Sequence, residues 1–167
     1  YHPSRGAVSS CWPVSRESPV SVRPGAEPFA HDGDDVGVLL CHGFTGNPSS
    51  LRPWAERLAE AGHTVRLPRL PGHGTTWKEM GRTRWTDWYA EVNQAFAELR
   101  ARSRIVVAGG LSMGGALALR LAQEHGSGPD GVNGLVLVNP AVKLEDKRLA
   151  AVPVVRWVVP SLPPVGN

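Results

Sequence analysis

Four short apolar runs divide this chain, and the stretches between them carry a helical period. Val36-Gly37-Val38-Leu39-Leu40-Cys41 is apolar without interruption, the mark of a strand covered on both faces. Thr64-Val65-Arg66-Leu67, Ile105-Val106-Val107-Ala108 and Gly134-Leu135-Val136-Leu137-Val138 read as further strands, the last stopped by Asn139-Pro140. Between the first two runs, a helix is predicted from Ser49 or Ser50 to Ala61, with Pro53 in its first turn and Gly62 just past its end. Leu51, Trp54, Leu58 and Ala61 recur at spacings of three and four and form its apolar face. Pro68 to Arg84 reads as loop, because Pro68, Pro71, Gly72, Gly74 and Gly81 fall in it. Thr86 or Asp87 then caps a helix running to about Arg102. Its face of Trp85, Trp88, Tyr89, Val92, Phe96 and Leu99 reads as core packing rather than a ligand box. A third helix follows the third run and ends near His125-Gly126. Helices alternate with strands, and every connection is long enough for a crossover. The pattern predicts an α/β doubly wound domain, a mainly parallel sheet with helices on both faces.

Residues 1–34 break this pattern. They are rich in Pro, Ser, Gly and Arg, show no period, and are expected to be a disordered or loosely packed leader. The remainder fits one domain: 167 residues with 41% apolar content can bury a core. No apolar stretch reaches the roughly 18 to 20 residues of a spanning helix, so no stable membrane insertion is expected. The net charge of +3 is spread along the chain and points to no nucleic-acid partner. Cys11 and Cys41 make no disulfide framework, and Cys41, at a strand end, is expected to be a small buried residue. The chain begins at Tyr1 rather than Met, shows no secretory-signal pattern, and points to a cytoplasmic setting.

The chemistry concentrates in Gly110-Leu111-Ser112-Met113-Gly114. The pentapeptide follows a strand and opens a helix, the context in which G-x-S-x-G forms a nucleophile elbow. Gly110 and Gly114 are needed because strand and helix approach closely at such a turn, and Ser112 would present its hydroxyl above a helix N-terminus. A serine hydroxyl is a weak nucleophile at neutral pH. It needs a base to take its proton and fixed donors for the oxyanion that forms. The residue after the nucleophile, Met113, supplies one backbone N–H. The loop after an earlier strand supplies the other, and His42-Gly43-Phe44-Thr45-Gly46 occupies that position, with the N–H of Phe44 as the expected donor. Gly43 belongs to the same loop.

Three blocks in order, Leu39-Leu40-Cys41-His42-Gly43-Phe44-Thr45-Gly46, Leu67-Pro68-Arg69-Leu70-Pro71-Gly72-His73-Gly74 and Gly110-Leu111-Ser112-Met113-Gly114-Gly115, carry a family resemblance. The chain from about Val36 onward resembles the bacterial carboxylesterase and monoacylglycerol lipase branch of the α/β-hydrolase superfamily. The resemblance implies hydrolysis of carboxylic esters or monoacylglycerols through an acyl-enzyme on Ser112, without cofactor or metal. It implies Phe44 and Met113 as oxyanion donors. It also implies a core over 35–143 and, over 144–167, the start of a cap that covers the acyl pocket. Peptide-cleaving hydrolases of the same fold are close variants. Epoxide hydrolases and dehalogenases are disfavoured, because those relatives place an aspartate where Ser112 stands.

The departure from that pattern concerns the acid and the base. The superfamily order is Ser, then Asp or Glu, then His. The one histidine after Ser112 is His125, at the end of the elbow's own helix, and Glu124, Asp130, Glu145 and Asp146 flank loops or the cap start. None follows a further core strand. The chain is therefore expected to be the N-terminal portion of a hydrolase, incomplete at the C-terminus. Roughly 80 to 110 further residues would bear the missing Asp and His. Such a portion is expected to be nearly inactive and to leave a sheet edge and an apolar helix face uncovered. The rival reading is a non-catalytic binding module that keeps the fold without the base.

Other polar residues have plainer readings. His42 adjoins the oxyanion loop and is expected to shape it by hydrogen bonding. His73 tempts as a base, but it precedes the serine on another loop and reads as structural. His31, Asp32, Asp34 and Asp35 raise the question of metal binding, yet their spacing supports no site and a solvated linker fits them better. His2 lies in the leader and receives no role. The apolar segment from Ala150 to Pro160 reads as a cap lining for an acyl chain, with membrane contact and an exposed truncated core as competitors.

Overall fold

An uninterrupted apolar strand is stable only between two layers, and the architecture supplies both. The computed structural model describes residues 21–142. Five strands, β1 (Phe29–His31), β2 (Val36–Cys41), β3 (Thr64–Leu67), β4 (Ile105–Leu111) and β5 (Gly134–Val138), form one sheet in the order β1-β3-β2-β4-β5. All neighbours run parallel except β1, which pairs antiparallel with β3 through Phe29 opposite Leu67 and His31 opposite Val65. The helices are α1 (Arg52–Glu60), α2 (Trp77–Met80), α3 (Trp85–Arg100) and α4 (Met113–His125), with a 3-10 turn at Pro48–Ser50 before α1.

The side chains of β2 alternate between two cores. Val38 and Leu40 pack with Leu51, Ala55, Val65 and Leu67 beneath α1. Leu39 and Cys41 pack on the opposite face with residues of α3 and α4, including Val92, Phe96, Leu99, Leu117 and Leu121. Helices therefore cover both faces. The chain leaves β2 toward β3 on one side and returns to β4 on the other, so the strand order reverses between β2 and β4. In open α/β sheets, the carboxyl ends of the strands at such a switch point form the ligand crevice.

Several sequence expectations need correction. Residues 21–34, assigned to a loose leader, include β1 and the fully buried Ala26. Three residues are too few to show a period, and β1 gains its stability by capping the edge of β3. The stretch from Pro68 to Arg84 is not all loop, since Thr76 accepts a hydrogen bond from the N–H of Glu79 and starts α2. The first helix buries Ala55, whereas Ala61 is exposed at its end. In α3, Asp87 accepts from the Arg84 N–H at 2.7 Å, so the helix starts one turn before Asp87. Trp85 then falls at its first residue and is 56% exposed rather than core. The third strand runs on through both glycines to Leu111, because β4 stays paired with β2 and β5 to that point. The expected cap over 144–167 lies outside the described residues, as does the leader before residue 21.

Candidate active site

Register brings the two predicted loops together. Cys41 of β2 pairs opposite Gly110 of β4, so Gly43 and Ser112, each two residues on, leave the sheet side by side at the switch point. A Cβ on Gly43 would lie 3.6 Å from the Ser112 Cβ. That is ordinary contact, so this position tolerates a side chain better than the sequence motif implied. Gly114 is different. A Cβ there would overlap the carbonyl of Cys41 and come within 2.6 Å of the His42 oxygen. One on Gly110 would overlap the Gly114 backbone in turn. The close approach of strand and helix at these two glycines is what lets α4 start directly behind β2.

Ser112 has φ 54° and ψ −116°, a positive φ that non-glycine residues rarely adopt. Holding it there costs on the order of 1–3 kcal/mol, and the surroundings must over-determine the turn. They do so from two sides. Gly114 is wedged against β2, while the loop after β5 grips the serine itself. Its N–H donates to the Val138 carbonyl at 2.9 Å, and its carbonyl accepts from the Ala141 N–H at 3.0 Å. A serine at a helix N-cap ordinarily turns its hydroxyl onto the first free N–H groups. Ser112 makes no such bond, which leaves Oγ without a partner among the described residues at the positive end of the 13-residue α4. Neither the Phe44 nor the Met113 N–H donates within the bonds formed by the described residues.

The histidines separate by environment. His42 is fully buried. Its Nε2 accepts from the Leu70 N–H at 3.2 Å, so Nδ1 carries the proton and donates to the Gly43 carbonyl at 3.0 Å. Burial pushes this imidazole down to about 4. Both nitrogens are occupied, which fits loop shaping. His73 is also buried, and desolvation lowers its pKa although nearby backbone carbonyls oppose the shift. His125 lies at the far end of α4, with Nε2 2.6 Å from Asn93 Oδ1. Among the described residues, no imidazole is hydrogen-bonded to Ser112.

The acidic residues near the first strand are held by arginines and a histidine rather than gathered around a site. Asp32 bridges Arg66 at 2.6 Å and Arg102 at 2.7 Å, Asp34 meets His63 at 3.1 Å, and Asp35 meets Arg104 at 2.9 Å. Among the described residues, no group of His, Cys, Asp and Glu is arranged to hold a metal. Cys41 is a free, buried thiol, and desolvation pushes it up to about 12. Beside the loop after β2, a groove of about 240 Å³ is lined by Phe44, Asn47, Thr75, Trp77 and Met80 among others. No helix among the described residues is long and apolar enough to cross a membrane.

Sequence reading missed two contributors. Asn139-Pro140-Ala141 reads as a strand stop but also forms one side of the serine's clamp. A second signal was visible there: Asn139 has φ 44°, and Asn is among the residues that tolerate this region. Trp88 reads as generic core, yet its Nε1 reaches the Pro71 carbonyl at 3.1 Å and Thr83 Oγ1 at 3.0 Å, tying α3 to the loop below Phe44.

Fold and site together define an α/β hydrolase. The chain belongs to that family: residues 37–163 match the alpha/beta hydrolase fold. It is 50% identical over 123 residues to a thermostable monoacylglycerol lipase of Bacillus sp. (strain H-257), covering 74% of this chain and 48% of that protein. It is 38% identical over 96 residues to a carboxylesterase of Bacillus subtilis (strain 168), covering 57% of this chain and 39% of that protein. A solved structure from work on LipS and LipT, two metagenome-derived lipolytic enzymes, matches with a TM-score of 0.75 at 40% identity, over 88% of this chain and 56% of the other. The chain spans about half the length of these relatives, or less.

Proposed function

We propose that this chain carries the nucleophile portion of a serine hydrolase acting on small carboxylic esters or monoacylglycerols. Ser112 is the nucleophile, and the Phe44 and Met113 N–H groups form the oxyanion hole. One observation carries the reading: Ser112 is held at positive φ at the switch point, and among the described residues neither its hydroxyl nor the neighbouring Phe44 N–H has a partner. Attack of Oγ on the ester carbonyl would place the oxyanion against these amides. The alcohol would leave, and water would then release the acid from the acyl-enzyme. The mixed apolar and polar groove beside Phe44 suits an ester with an apolar portion. The same reading calls for no cofactor, metal, nucleic-acid partner or stable membrane insertion, and for a cytoplasmic setting.

The reaction requires a general base and an acid that orients it, which the described residues do not place beside Ser112. A second reading rests on that observation: a binding module that keeps the elbow without the chemistry. The test uses the gene product spanning the full length of the relatives, with p-nitrophenyl esters, monoacylglycerols and fluorophosphonate labelling. The expected result is turnover and labelling, with turnover reduced roughly 10⁴-fold or more and labelling lost in Ser112→Ala. Turnover that survives this substitution would remove Ser112 from the mechanism. A wild type that binds esters without cleaving them would establish the second reading.

A further inference from the structure

An oxyanion donor works only if its N–H stays within a fraction of an ångström of where charge develops. Phe44 is poorly placed to hold itself there. It sits in a turn and is 46% exposed, so solvent rather than packing faces much of its ring. What restrains it lies underneath. Phe44, His73 and Trp88 form a triangle of ring contacts, which His42 joins through His73. The centroids are 5.0 Å apart for His42 and His73, 6.0 Å for Phe44 and His73, 5.6 Å for Phe44 and Trp88, and 5.1 Å for His73 and Trp88. All four meetings are edge to face, an arrangement that fixes ring angle as well as distance.

The set is anchored at both ends. The Leu70 N–H bond to His42 ties the oxyanion loop to the loop after β3. Trp88 belongs to α3, whose buried face packs on the sheet, and its indole N–H is shared by the Pro71 carbonyl and Thr83 Oγ1. Gly72 and Gly74, both at positive φ, flank His73 in a turn that leaves its ring buried beneath Phe44. His73 Nδ1 lies 3.2 Å from the Pro71 carbonyl, while its Nε2 has no hydrogen-bond partner among the described residues although the residue is 1% exposed. Burying that nitrogen unpaired costs free energy that an apolar side chain of similar size would not incur. What His73 supplies to Phe44 is therefore its ring edge rather than that nitrogen.

We propose that His73 and Trp88 are positioning residues: they hold the Phe44 N–H at the oxyanion site through a relay from α3 to the loop after β3 to the oxyanion loop. The proposal rests on the serine hydrolase reading above. The test uses the gene product of full relative length with a soluble p-nitrophenyl ester. Active serines are counted by fluorophosphonate titration, and a boronic-acid transition-state analogue is measured alongside. His73→Leu removes the ring edge and is expected to lower kcat per titrated serine about 10- to 100-fold, with KM changed less than about twofold. The analogue is expected to weaken by a similar factor. His73→Phe, which restores a ring, recovers most of the loss. Trp88→Phe is the milder variant, expected to cost several-fold in kcat, and combining it with His73→Leu adds less than the product of the two. Variants that melt earlier yet keep kcat per active serine would overturn the positioning role while leaving the hydrolase reading intact. So would Trp88→Phe leaving kcat unchanged, should His73→Leu fail to fold. A wild type that neither labels nor turns over would overturn the hydrolase reading and this role with it.

Discussion

The inner strands β2 and β4 and the edge strand β5 share an apolar composition but live in different surroundings. Five of the six residues of β2 are buried, with helices on both faces, and β4 is buried at Val106 and from Ala108 to Gly110. In β5 no residue is buried: Leu135, Val136 and Val138 are 39%, 41% and 44% exposed. Both candidate donor loops and the serine turn start from the covered strands, where close packing can hold a strained residue. β5 contributes through its exit loop, which grips Ser112 by its backbone. Rigidity for the serine turn is thus drawn from the covered side, and the uncovered side supplies only a clasp.

Substitution at the contact between β2 and α4 gives the largest expected effect. Gly114→Ala would gain roughly 1 kcal/mol from helix propensity alone. Its Cβ would instead overlap the Cys41 carbonyl, so a net loss of about 3 kcal/mol or more is expected in urea denaturation. A stabilised variant would show that α4 is not wedged against β2.

Acid should weaken the covered side next. Burial pushes His42 down to about 4 from an ordinary 6.5, and His73 shifts in the same direction. The unfolded chain therefore takes up these protons first. The stabilisation from keeping His42 neutral is complete above about pH 6.5, declines as pH falls toward about 4, and is gone below that. About 3 kcal/mol is at stake for this residue, read as the change in unfolding free energy between the two pH values. A His42→Gln variant should show a shallower decline over that window, and an equally steep one would assign the acid sensitivity elsewhere.

The smallest effect belongs to the outer strand. Val136→Thr is expected to change stability by no more than about 0.5 kcal/mol in the same denaturation assay, since its side chain is already substantially wet. A loss above 2 kcal/mol would mean that β5 is covered in solution and would erase the contrast between the two sides.

Much of this was legible in the sequence because it depends on local pattern. The apolar runs at Val36 and Ile105 had to be inner strands, and Gly110 and Gly114 could be justified before any coordinates. The candidates Ser112 and Met113 come from the order strand, G-x-S-x-G, helix, and the candidate Phe44 from the H-G-F-x-G loop after an earlier strand. What stayed hidden was tertiary. A three-residue β1 has no period to detect, and Trp85 lies on the apolar spacing of α3 but sits at its exposed first turn. The grip of Val138 and Ala141 on Ser112 is a backbone interaction, which no side-chain pattern records. Trp88 reads as core because an indole that packs and an indole that donates look alike in one dimension.

The clasp on Ser112 has a consequence for how the protein comes into being. The serine turn is completed by three stretches far apart in the chain: residues 42–44, residues 109–115 and residues 138–141. Synthesis delivers them in that order. A nascent polypeptide released as far as α4 would hold Ser112 on a turn fastened from one side only. The strained geometry gains its second fastening when the last of the three stretches arrives.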